Sequence, residues 1–86
     1  MHKVISAEPL DNFTIQLEFD DHKSYILDVT PFLYGEVFEP LKDLKIFKQV
    51  AIDGVFGSIY WPTGADFAPD YLYMMMEESK QHIPLN

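Results

Sequence analysis

Seven residues, Phe13-Thr14-Ile15-Gln16-Leu17-Glu18-Phe19, alternate apolar and polar without a break. A period of two puts Phe13, Ile15, Leu17 and Phe19 on one face of an extended chain. A helix would scatter the same residues around its circumference. The segment is therefore a half-buried strand with one wet face, and such a strand needs neighbours. Asp20-Asp21-His22-Lys23 supplies turn chemistry, because aspartate bonds nearby backbone amides. Tyr25-Ile26-Leu27-Asp28-Val29 reads as the returning strand, and Val4 to Ala7 as an earlier one that Pro9 ends. Together they predict a three-stranded antiparallel meander, since a lone hairpin is marginal in water.

Beyond the meander the pattern shortens. Thr30-Pro31 is a helix-start signal, with the threonine hydroxyl as the expected cap, and Gly35 stops the turn. Asp43 is placed to cap a second short helix carrying Leu44 and Phe47. Helices this short must lean on the sheet. Gln49 to Asp53 and Gly57 to Trp61 read as two strands of a β-hairpin turning at Gly54, and Pro62 ends the second. Thr63 to Asp66 is expected to be a loop. Pro69 opens a C-terminal helix running to about Glu78, with Asp70 in its first turn favourable to the helix dipole. The expected architecture is α+β: antiparallel meander, short helices, β-hairpin, C-terminal helix. Residues 1–78 form a single domain and residues 79–86 a loose tail.

Composition limits what such a domain can do. The chain has 86 residues, 6 basic and 14 acidic, for a net charge of −8, and every basic residue is lysine. This balance opposes binding to phosphate backbones, and the arginine fork that reads guanine is missing. No direct nucleic-acid partner is expected; a basic protein partner is the electrostatically natural one. An anionic membrane surface is disfavoured for the same reason, and no apolar run approaches membrane-spanning length. Without cysteine there is no disulfide, thiol nucleophile or zinc–thiolate site. The N-terminus does not read as a signal peptide, since Pro9 and Asp11 interrupt it, so a cytoplasmic location is expected.

The residues that could carry chemistry are sparse. His2, His22 and His82 fall at a terminus, a turn and the tail, not at metal-ligand spacing. The acidic Asp20-Asp21-His22 stretch lacks the oxygen ligands of a calcium loop. Asp66 and Asp70, four apart, or Asp53 would have to assemble an acid–base pair, but each is accounted for by turn or dipole roles. Ser6, Ser24, Ser58 and Ser79 have no adjacent histidine, and Gly54-Val55-Phe56-Gly57 is too short for a phosphate loop. No catalytic residue, metal or cofactor is expected.

Trp61-Pro62-Thr63-Gly64-Ala65-Asp66 followed by Pro69-Asp70-Tyr71-Leu72-Tyr73 is the most distinctive stretch. Its architectural reading has Trp61 plugging the core and Gly64 at positive φ. Its functional reading is a binding surface, because Trp and Tyr dominate interface hot spots. Met74-Met75-Met76 span too wide an arc for all three to face one core stripe, so one should reach solvent. The candidate partner-binding residues are Trp61, Asp66, Asp70, Tyr71, Tyr73 and Met74, with self-association as a further use of this surface.

These residues resemble the small bacterial family known as domain of unknown function 2442. The resemblance is carried by Val4 and Ile5; Leu17-Glu18-Phe19-Asp20-Asp21; Asp28-Val29; Leu41, Asp43 and Phe47; and the Trp61-Pro62-Thr63-Gly64-Ala65-Asp66 and Pro69-Asp70-Tyr71-Leu72 motifs. His22 stands where the family often has glycine. The resemblance implies an α+β domain without catalytic residues. Some relatives resemble regulators with a helix-turn-helix after this domain, for which thirteen residues beyond Tyr73 leave no room. Others look like the antitoxin-like half of two-gene cassettes. The expected function is thus a protein-interaction module, antitoxin-like toward a small basic protein. The alternative is an accessory or sensory domain that has lost its helix-turn-helix and binds a small ligand or self-associates.

Overall fold

A computed structural model describes residues 1–81 of the chain. Two three-stranded antiparallel sheets and a C-terminal helix enclose one core, an α+β fold. The first sheet has the order β1 (Val4–Pro9), β2 (Thr14–Phe19), β3 (Ser24–Asp28). The alternation in β2 works as expected: Ile15, Leu17 and Phe19 are fully buried while Gln16 faces water. Phe13 does not join the strand. It turns at φ 62° and packs edge-on against Phe47, with ring centroids 5.3 Å apart.

After β3 the chain makes a 3₁₀ turn at Thr30–Phe32 and another at Glu39–Lys42, then α1 (Leu44–Phe47). The Thr30 hydroxyl makes no cap; Asp28 takes over by accepting from the Thr30 amide at 3.0 Å. Asp43 does cap α1, accepting from the Lys45 amide at 2.9 Å.

The second sheet keeps the expected β-hairpin and adds a third strand to it. It contains β4 (Ala51–Ile52), β5 (Ile59–Tyr60) and β6 (Asp66–Phe67), the first two much shorter than the sequence pattern suggests. Asp66 is not a loop residue: it lies in β6 opposite Tyr60, and Phe67 opposite Ile59. A two-residue strand is too short to show a period, which is why β6 escapes the pattern. α2 (Pro69–Gln81) seals the core with Leu72 and Met76. It passes the expected end at Glu78, and the Ser79 hydroxyl donates to the Met76 carbonyl at 2.7 Å. The expected tail boundary falls inside this helix; residues 82–86, including His82, lie outside the described residues. Among the described residues, no helix is long and apolar enough to cross a membrane.

Gly57 welds the two sheets together. Its carbonyl accepts from the Val4 amide at 2.9 Å, its φ is +76°, and a Cβ placed there would lie 2.6 Å from the Lys3 Cα. Only glycine permits both the left-handed backbone and this approach. Gly57→Ala is therefore expected to destabilise by roughly 2–4 kcal/mol, combining left-handed strain with overpacking. Gly54→Ala, where a Cβ meets nothing within 4 Å, should change stability by less than about 1 kcal/mol. Urea unfolding of the two variants checks the contrast.

Candidate interaction surface

Trp61 is the first candidate to be placed, and it is not on the surface. Only 2% of it is exposed. Its indole N–H donates to the Phe47 carbonyl at 2.8 Å, and its ring lies among Phe38, Phe47 and Phe67 with centroids 6.0–6.4 Å away. Expecting it to touch a partner is corrected by this burial: a bulky apolar ring at the end of β5 follows buried Ile59 and exposed Tyr60 in the strand's own alternation.

The motif around it is a turn. Trp61 N–H donates to the Ala65 carbonyl at 2.9 Å, and Gly64 N–H to the Trp61 carbonyl at 3.1 Å, with Gly64 at φ +97°. Pro62 presets the second position of the turn and Gly64 takes its left-handed close, as in a three-residue hairpin. Thr63 ties the turn down by donating to the Val37 carbonyl at 2.7 Å.

The other candidates divide. Asp66 and Asp70 are exposed, and Asp70 accepts from the His2 amide at 2.9 Å. Tyr71 and Met74 are 42% and 48% exposed, while Met75 is half-buried and Met76 fully buried. The methionine run thus does present one side chain, on a stripe of α2 with Asp70 and Glu78 at four-residue spacing.

Tyr73 belongs to a cluster that joins α2 to the β2–β3 turn. It rests edge-on to Phe19 at 5.0 Å, and the His2 imidazole stacks flat on it at 3.5 Å. Its hydroxyl donates to Asp21 Oδ2 at 2.6 Å, and the Lys23 ammonium lies 5.6 Å from its ring centre and 3.5 Å from Glu77. The Tyr73 hydroxyl and the Lys23 amide hold the Asp21 carboxyl below its ordinary pKa. Asp21 in turn raises the Tyr73 phenol. Lys23 is raised by the Tyr73 hydroxyl first and Glu77 second. His22, in the same turn, stands at φ +69°, the conformation glycine favours, with its Nδ1 3.1 Å from Glu18.

An adjacent pair of exposed apolar residues lies outside the sequence candidates. Val55 and Phe56, at the β4–β5 tip, are 68% and 66% exposed. The tip is rigid at its base: Asp53 accepts from the Val55 and Phe56 amides at 2.8 and 3.1 Å, and Gly57 N–H donates to the Asp53 carbonyl at 2.8 Å. These amides, Phe56 first, depress the Asp53 pKa. The available signal was two consecutive apolar residues between glycines, where a turn is ordinarily polar. A surface concavity bounded by Gly35, Glu36, Glu39, Pro40, Lys42 and Asp43 contains no aromatic residue.

A family model described as "Protein of unknown function (DUF2442)" matches residues 4–77, from the first residue of β1 into α2. The chain belongs to the DUF2442 family. No curated protein and no solved structure matches it. The motif that most distinguishes this DUF2442 chain, Trp61 to Asp66, serves its architecture: a core ring, a turn and a short strand.

Two outcomes follow. Trp61→Phe keeps a ring but leaves the Phe47 carbonyl without its short bond, and should cost about 1–3 kcal/mol in urea unfolding. Asp21→Asn should lower the Tyr73 pKa toward the ordinary tyrosine value, read from its ring carbon shift by NMR. The raised phenol stabilises the fold fully below about pH 10 and loses that contribution as pH rises through its folded value. The variant should therefore lose stability mainly at neutral pH and converge with the parent in alkali.

Proposed function

We propose that this DUF2442 chain is a non-enzymatic protein-interaction module, most concretely an antitoxin-like partner that occludes a small basic protein. The observation that carries the proposal is the Val55–Phe56 pair, adjacent, apolar and exposed on a turn clamped by Asp53. An aromatic anchor on a preordered turn loses little conformational freedom when a partner pocket closes over it. The surface charge favours a cationic partner. Of the 14 acids, the described lysine ion pairs engage only Glu77 and Asp11. The remaining excess speeds encounter with a basic surface, and the apolar tip sets the lifetime of the complex. Tyr71 and Met74 offer additional exposed contact on α2. Trp61 contributes only by holding the frame.

The test is affinity capture from the native host at low salt. A stoichiometric basic protein is expected, released at high salt, and captured at least about tenfold more weakly by Phe56→Ser. That variant should unfold at the same urea midpoint as the parent, because the side chain touches solvent. A folded bait that retains nothing overturns the proposal.

A further inference from the structure

We infer that the free edge of β3 is a dimerisation edge, joining two copies of this chain into one six-stranded antiparallel sheet. The Phe19 amide donates to the Lys23 carbonyl at 2.9 Å and the Val29 amide to the Phe13 carbonyl at 3.0 Å, bracketing the β2–β3 ladder. Bonded pairs alternate in an antiparallel ladder, so Tyr25 and Leu27 bond β2. The backbone N–H and C=O groups of Ser24, Ile26 and Asp28 point away from it. Among the described residues, no other element bonds them.

The two edges of this sheet are treated differently. β1 carries a bulge between Val4 and Ser6, ends on Pro9, and has its Val4 amide taken by Gly57. Bulges, prolines and covering segments are how proteins block edge pairing. β3 has none of them: Ser24–Asp28 contains no proline, lysine or bulge. Its centre is Ile26, 58% exposed on a face where β2 and β3 otherwise show Thr14, Gln16, Glu18, Ser24 and Asp28.

The segment fits a second copy of itself. In an antiparallel pair centred on Ile26, Ile26 faces Ile26 across the two-fold axis. Ser24 faces Asp28, a hydroxyl donor against a carboxylate, and Tyr25 faces Leu27 on the opposite side of the sheet. No like charges stand opposite one another, which is the condition cross-strand pairing requires. The one large apolar side chain that β2 and β3 expose on this face occupies the one position that meets its own copy. Two-fold self-pairing of this kind closes the assembly at a dimer. Net charge opposes it, since each chain carries −8, so association should tighten as salt screens the repulsion. The contact is separate from the Val55–Phe56 tip and does not depend on any partner there.

Sedimentation equilibrium of the full chain at low and at about 0.5 M salt reads the association directly. The parent is expected to form a concentration-dependent dimer that salt strengthens. Ile26→Lys and Ile26→Glu should each weaken it at least about tenfold, by setting like charges face to face. Mixing the two should restore a one-to-one dimer, because the substituted residues now attract across the axis. Ile26→Pro, which removes the outward amide and none of the N–H donors that bond β2, should also dissociate it, and far-UV circular dichroism checks that each variant is folded. A parent that stays monomeric up to about 1 mM overturns the inference. So does a dimer whose affinity none of the Ile26 substitutions changes, or a mixture of the charged variants that does not reassociate.

Discussion

The Trp61 indole reaches the Phe47 carbonyl at 2.8 Å inside the core, and the arrangement of the smaller sheet hangs on that bond. Phe47 is the last residue of α1, where a helix leaves carbonyls without intrahelical donors. Burying that end would be costly without a partner, and the indole N–H supplies one. The same ring is the surface on which Phe38, Phe47 and Phe67 assemble. Strands of two residues cannot hold a sheet by their ladders alone. Here the packing of one tryptophan fixes where β5 ends, where the turn begins and where β6 returns.

The hairpins repeat one device. Phe13, His22, Gly57 and Gly64 all stand at positive φ, each just before a chain segment returns. In three of these turns the same residue's amide also reaches back to a carbonyl that precedes the turn. Two of the four are glycines, where the conformation is free of strain. The other two are held by contacts: Phe13 by the Phe47 ring, and His22 by Glu18 beside it and the Tyr73–Asp21 bond that pins its turn to α2. That a histidine occupies a glycine conformation shows tertiary structure overriding local preference. The long-range Tyr73 cluster is what makes the override affordable.

How much of this was legible in the sequence depends on length of signal. β2 was readable because four apolar residues alternate, and α2 because a proline and an acid mark its start. The Asp43 cap was readable because capping is a local bond between residues two apart. β6 was not, being two residues long and separated from β5 by a turn whose residues look like any loop. The candidate surface was legible only in part. Tyr71 and Met74 do reach solvent, but aromatic character alone could not separate Trp61 and Tyr73, which serve packing, from Phe56, which does not. Whether an aromatic faces in or out is decided by which strand it alternates with, and Phe56 sits in a turn that belongs to no strand.

That turn is where rigidity and exposure coincide. The Asp53 carboxylate is held ionised by the Phe56 and Val55 amides it accepts from. A depressed carboxyl stabilises its turn fully above its unfolded value near pH 4 and loses that contribution only as pH falls through the lower folded value. The clamp is therefore intact across the whole neutral range, and the orientation of Val55 and Phe56 is independent of ordinary pH change. Gly57 fixes the other side of the turn to β1 through the Val4 amide. The backbone of the tip is thus anchored to both sheets while its two apolar side chains stay mostly in solvent. A turn fixed in this way contributes to the fold through Asp53 and Gly57. Val55 and Phe56, about two-thirds exposed, contribute less to the fold than the backbone that carries them, and burial in this chain does not account for their apolar character.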